Sequence, residues 1–137
     1  MEYAFTHQDK VRDYECDLQG VVNNSVYLNY LEHARHEYLL HLGVDFAGLA
    51  AKGINLVVVR SEVDYKKSLR PGDEYWIGIS LVRSSRIKFD FLQDIYKKGD
   101  TTPTIKAKVT GVALNEKGRP CTIPELDNAF EAIDAPN

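Results

Sequence analysis

Apolar residues recur at helical spacing between Ser25 and Leu42. Tyr27, Leu31, Ala34, Tyr38 and Leu42 lie three or four apart, and Val26, Tyr30 and Leu39 widen the stripe. Asn23 and Asn24 stand where a short side-chain carbonyl can accept from the free N–H groups of a first turn, and Gly43 supplies the stop. The predicted helix has about five turns, long for a chain of 137 residues.

Before it, Tyr3 to Arg12 reads as a strand carrying Tyr3, Phe5 and Val11. After it, Val44 to Lys52 reads as a short helix that Asp45 starts and Gly53 stops. The period then becomes twofold. Ile54 to Lys67 places Val57, Val59, Val63 and Tyr65 on one face and Leu56 and Val58 on the other. Leu69-Arg70-Pro71-Gly72-Asp73 is a turn, because proline presets one backbone angle and glycine accepts the next. Glu74 to Arg83 alternates, with Tyr75, Ile77, Ile79 and Leu81 on one side; Ser84-Ser85 turns the chain into Arg86 to Tyr96, where Ile87, Phe89, Phe91 and Ile95 share a face. Pro103 to Asn115 repeats the pattern, and Pro124 to Ile133 closes with Leu126, Phe130 and Ile133 at helical spacing. Four consecutive strands joined by short turns predict an antiparallel meander, polar on one face and apolar on the other. The Ser25 to Leu42 helix is the element long enough to cover the apolar face, so the expected fold is α+β, with a curved sheet wrapped around one helix.

Composition narrows the possibilities. The chain is 44% apolar and 27% charged with a net charge of -3, the balance of one globular domain over residues 1–137. Its 17 basic residues are scattered among 20 acids, so no basic stripe predicts nucleic-acid binding. No apolar run approaches the roughly 18 residues that span a bilayer, and Met1-Glu2-Tyr3 begins nothing like a signal peptide, which makes the cytoplasm the expected compartment. Cys16 and Cys121 have no CxxC partners and are expected as reduced thiols. His36 and His41 are five apart, about 140° around a helix, and His33 with Glu37 makes a two-residue pair. No metal and no cofactor are expected.

The run V-R-D-Y-E-C-D-L-Q-G-V-V-N-N-S-V-Y-L from Val11 to Leu28 resembles the hotdog-fold acyl-CoA thioesterases, in their 4-hydroxybenzoyl-CoA thioesterase-like branch. The matching positions are Asp17, Gly20, Val22, Asn24 and Tyr27. The stretch from Val63-Asp64-Tyr65 to Asp73 is also similar to that family. One departure matters: many relatives read G-H-V-N-N where this chain has Gly20-Val21-Val22-Asn23-Asn24. A mechanism leaning on that histidine is excluded.

The resemblance implies hydrolysis of an acyl-CoA thioester, with pockets formed between subunits of a homodimer or homotetramer. Asp17 is the candidate base or nucleophile, and the backbone N–H at Asn24 is the candidate oxyanion donor, at the positive end of the helix dipole. Gly20 lets the loop fold back tightly. Asp17 as a solvated or capping carboxylate is the plain alternative. Cys16 lacks a nearby histidine and is expected as a buried thiol. By resemblance to other hotdog branches Glu32, roughly 12 Å further along the helix, is a second candidate acid; its plain alternative is a helix-face pair with Arg35 or His36. Arg60, Lys66, Lys67, Arg70, Arg83 and Arg86 are candidates for coenzyme A phosphates, and Tyr27, Leu31, Val57 and Val59 for the acyl wall. Two rivals stand beside hydrolysis: a non-catalytic acyl-CoA or acyl-carrier-protein binding module, and a hotdog dehydratase or hydratase, against which Val21 argues.

Overall fold

The computed structural model describes residues 3–134. In chain order it contains β1 (Phe5–Lys10), a 3-10 turn (Asp13–Glu15), α1 (Asn24–His41), α2 (Phe46–Ala51), β2 (Asn55–Tyr65), β3 (Glu74–Arg83), β4 (Lys88–Lys97), β5 (Ile105–Leu114), β6 (Pro120–Cys121) and α3 (Pro124–Asp134). The long helix forms where its stripe lies. Asn23 is its cap and accepts from the Ser25 N–H, while Asp45 caps α2 through the Gly48 N–H.

One antiparallel sheet carries the strands in the order β1-β3-β4-β5-β2, with β6 added beside β5. The simple meander is therefore corrected. β3 already has β1 and β4 on its two edges, so β2 pairs instead with the free edge of β5. Leu69 to Asp73 is consequently not a hairpin turn but part of a crossover, residues 66–73, that carries the chain from one edge of the sheet back toward the other.

The faces of β2 also depart from the simple alternation. Val58 pairs with Gly111 and Arg60 with Thr110, which leaves Val59 as an extra, bulged residue. A bulge shifts the side-chain alternation by one. Leu56 and Val58 therefore share the inner face with Val63 and Tyr65, and Val57 faces outward.

The inner face buries Tyr75, Ile77, Ile79, Leu81, Phe89, Phe91, Ile95, Ile105, Ala107 and Val109 against Tyr27, Leu31, Ala34, Tyr38 and Leu39 of α1. Each such large side chain contributes roughly 1.5–3 kcal/mol by leaving water. Leu126 and Phe130 of α3 join this core; the side chain of Ile133, third in that predicted stripe, lies outside the described residues. On the outer face Asp90 and Asp94 are nearly covered, and each is neutralised. Asp90 accepts from the Thr110 hydroxyl at 2.6 Å beside Lys108, and Asp94 from the Tyr3 hydroxyl at 2.6 Å beside Lys106.

Candidate active site

The segment between β1 and α1 is a closed loop stitched at both ends to the crossover. At its start the Val11 N–H donates to the Asp73 carbonyl at 2.9 Å and the Gly72 N–H to the Val11 carbonyl at 3.0 Å; at its end the Val22 N–H donates to the Leu69 carbonyl at 2.9 Å. Between them the 3-10 turn is held by Glu15, whose carboxylate accepts from the Arg12 N–H at 2.7 Å and the Tyr30 hydroxyl at 2.8 Å. Cys16 and Val22 then pair across a narrow neck. Within that neck the Asp17 N–H donates to the Val21 carbonyl at 2.9 Å and the Gly20 N–H to the Asp17 carbonyl at 3.0 Å. Gly20 has φ +76, a conformation that a side chain would disfavour.

Asp17 is half-buried. Its Oδ1 accepts from the Gln19 N–H at 2.9 Å and lies 3.5 Å from the Val21 N–H. Among the described residues Oδ2 has no hydrogen-bond partner. One oxygen thus fixes the carboxylate and the other is free for chemistry. Asn24 opens α1 directly after the cap, so its N–H is one of the donors a helix leaves unpaired. Asp17 and Gly20 lie within this loop, and Asn24 follows it as the first residue of α1. Cys16 is half-buried rather than enclosed, a correction to the buried thiol expected. Desolvation, with Asp17 next in chain, pushes its thiol pKa up, away from the reactive thiolate. Tyr27 is 1% exposed and its hydroxyl accepts from the Leu69 N–H at 2.9 Å.

Glu32 is exposed and lies apart from the loop, on a cleft of about 160 Å³ beside Arg35, His36, Phe46, Leu56 and Phe91. No ion pair joins it to Arg35 or His36 among the described residues. Arg35 instead donates to Gln93 Oε1 at 3.0 Å, and Gln93 Nε2 donates to the Leu31 carbonyl at 3.0 Å. Burial lowers the Arg35 pKa, with Glu32 opposing that shift.

The candidate cations are dispersed. Arg60 pairs with Glu62 at 3.0 Å, and Lys67 bonds Asp100 and Thr102. Arg83 is committed to α3 through Asp127 and stands 4.4 Å from the Phe130 ring centre. Arg86 borders the same α3 cleft and gives its carbonyl to Arg83. Lys66 and Arg70 lie exposed on the crossover; among the described residues neither has an ion-pair partner, and Arg70 directly follows Leu69. Val59 is 51% exposed on the sheet edge.

Sequence reasoning places Leu69 only in a turn and Arg35 only as a partner for Glu32, and it gives Gln93 no role. Gln93 had a signal: it occupies an inward position between Phe91 and Ile95 and is fully buried. Leu69 had none, because its partners Val22 and Tyr27 lie more than 40 residues away.

Comparison with known proteins bears on the family and the fold. The profile of the Thioesterase-like superfamily matches residues 11–132. The chain is 40% identical over 117 residues to an acyl-acyl carrier protein thioesterase, ATL3, chloroplastic, of Arabidopsis thaliana, covering 84% of this chain and 60% of that protein. It thus spans about three fifths of that plant relative. A solved hypothetical protein from Aquifex aeolicus superposes with a TM-score of 0.81 at 28% identity, covering 92% of this chain and 98% of the other. A 1,4-dihydroxy-2-naphthoyl-CoA thioesterase from Synechocystis superposes at 0.88 with 18% identity, covering 96% and 98%, a likeness of fold. The architecture is the hotdog fold.

Proposed function

The chain belongs to the Thioesterase-like superfamily, and from that premise we propose that it hydrolyses acyl thioesters of coenzyme A, as one hotdog domain over residues 1–137. The reading rests on one geometry: a carboxylate with a single free oxygen, Asp17 Oδ2, held in the same closed loop that delivers the first unpaired N–H of α1. In the reaction the Asn24 N–H binds the thioester carbonyl oxygen and stabilises the negative charge that develops there. Asp17 either takes a proton from the attacking water or attacks the carbonyl itself. In the first case the C–S bond breaks as the tetrahedral intermediate collapses, and the thiolate leaves to be protonated. In the second the Asp17 carboxylate adds to the carbonyl, the C–S bond breaks to release the thiolate, which is protonated, and water then hydrolyses the acyl-aspartyl anhydride. Both yield free acid and thiol.

Lys66 and Arg70 are the cations best placed for phosphates, because the crossover touches the loop at Leu69 and no carboxylate claims them among the described residues. Gly20 permits the tight loop, and Glu32 is a second acid. The name carried by the plant relatives makes acyl carrier protein a further thiol donor to test. The unpaired edge of β2, with Val58 and Val59 half exposed, supports a homodimer or homotetramer built by edge-to-edge pairing. A cytoplasmic location accompanies this reading.

Thiol release from acyl-CoAs of different length and aromaticity, and from the matching acyl carrier proteins, tests it. Asp17→Asn lowers kcat about 10²- to 10⁴-fold, the usual range for a general base, and Glu32→Gln lowers it far less. A large loss in Glu32→Gln with full activity in Asp17→Asn moves the chemistry to the helix face. No release from any ester leaves a binding module. Single turnover in ¹⁸O-labelled water bears on the two roles: label in Asp17 marks the anhydride opened by water at its aspartyl carbonyl, and a general base gains none.

A further inference from the structure

Leu69 is fully buried in the middle of the crossover, and the segment that carries the candidate site grips it from both sides. Its carbonyl accepts from the Val22 N–H, two residues before Asn24. Its N–H donates to the Tyr27 hydroxyl, three residues after Asn24. The first turn of α1 is therefore clamped against the crossover by two hydrogen bonds of 2.9 Å each, one made by backbone and one by a side chain. The same crossover is tied to Val11 at the other end of the loop.

The phenol sits in a dry, aromatic setting. Tyr27 packs 6.1 Å from Tyr30 and 6.1 Å from Tyr65, measured between ring centres. A second buried tyrosine on α1 offers a comparison. Tyr38 is equally buried, yet its hydroxyl has no partner among the described residues. Of these two equally buried phenols, Tyr27 is bonded to the crossover, whereas Tyr38 stacks on Phe5 at 5.5 Å with its hydroxyl unpaired among the described residues.

We propose that Tyr27 is a positioning residue for the hydrolysis argued above: by holding the Leu69 N–H it sets the first turn of α1, and with it the Asn24 N–H, against the Asp17 loop. This rests on the proposed hydrolase reading, and Tyr27 touches neither substrate nor the reacting atoms in this role. Loss of its oxygen leaves the ring packed but strands a buried backbone donor, which relaxes by moving the crossover away from the turn. Displacement by about 1 Å at such a site costs up to roughly 10²-fold in rate.

The test compares Tyr27→Phe with Tyr38→Phe, which removes an equally buried hydroxyl from the same helix. Amide exchange and thiol-release kinetics are followed in both. Tyr27→Phe is expected to speed exchange at Leu69 and to lower kcat roughly tenfold to a hundredfold, with KM within twofold and the pH profile unmoved. Tyr38→Phe stays within twofold of the native chain in both measurements. Where Tyr27→Phe does not fold, 3-fluorotyrosine at position 27 keeps ring and hydroxyl, stays neutral in its dry setting and weakens the acceptor, and it produces the same changes in smaller measure. Unchanged Leu69 exchange refutes the clamp, whether or not the chain hydrolyses esters. Faster exchange with unchanged kcat refutes the positioning role. Absence of thiol release in the native chain refutes the hydrolase reading, and the catalytic consequence falls with it.

Discussion

His7 stands in a cleft where burial and charge oppose one another. Its ring lies 4.9 Å from that of His33, and its Nε2 is buried without a hydrogen-bond partner among the described residues. Desolvation first, and His33 second, hold its pKa below the ordinary 6.5; Asp9 and Glu37 oppose them, while Arg12, Glu15, Tyr30 and Tyr75 complete the cleft wall. The folded chain therefore keeps His7 neutral where the unfolded chain binds a proton. Stability from this residue is complete above pH 6.5 and is lost as pH falls through 6.5 toward the lowered folded value. Urea midpoints at pH 7.5 and 5.5 should fall further for the native chain than for His7→Gln. Equal falls in the two proteins would show that His7 carries none of the slope. Periodicity marks His7 as a strand residue, but its contact with His33 depends on α1 crossing β1, which no local pattern encodes.

At the scale of elements, α1 and β4 are joined by more than apolar packing. Gln93 offers its amide to both the Leu31 carbonyl and the Arg35 guanidinium, so a core position of β4 fixes a half-buried cation on the helix. Gln93→Leu keeps the volume and removes the acceptor, leaving Arg35 without its partner. A loss of about 1–3 kcal/mol follows, read from urea unfolding. A double-mutant cycle with Arg35→Met should recover most of it; full additivity would show that the two side chains are not coupled. The helix itself was legible, from its stripe, its asparagine cap and Gly43, because spacing and capping are local. β2 was legible as a strand but not in its faces. The bulge at Val59 inverts the alternation halfway along, and it becomes visible only when β2 is set beside β5.

Across the whole molecule the strand order leaves β1 and β2 as the two edges. β2 runs for 11 residues, exposing Val58 and Val59 at 49% and 51%. Among the described residues this edge carries no further strand, and its Val58-Val59 stretch is an exposed apolar template for another one. Val59→Lys should shift the chain toward monomer in light scattering after size exclusion, and a native chain that is already monomeric would remove the edge-pairing proposal. The sequence by itself determined the long elements, the central helix under a curved sheet and the loop motif from Asp17 to Tyr27, since periodicity, caps and turn residues act over a few positions; the 3-10 turn and the two-residue β6 carry no such period. Only the tertiary structure decided that β2 lies beside β5, that Leu69 reaches back to Val22 and Tyr27, and that Gln93 holds Arg35. These contacts join residues 40 to 60 apart, and their energy comes from satisfying buried polar groups that exist only once the sheet has closed over the helix.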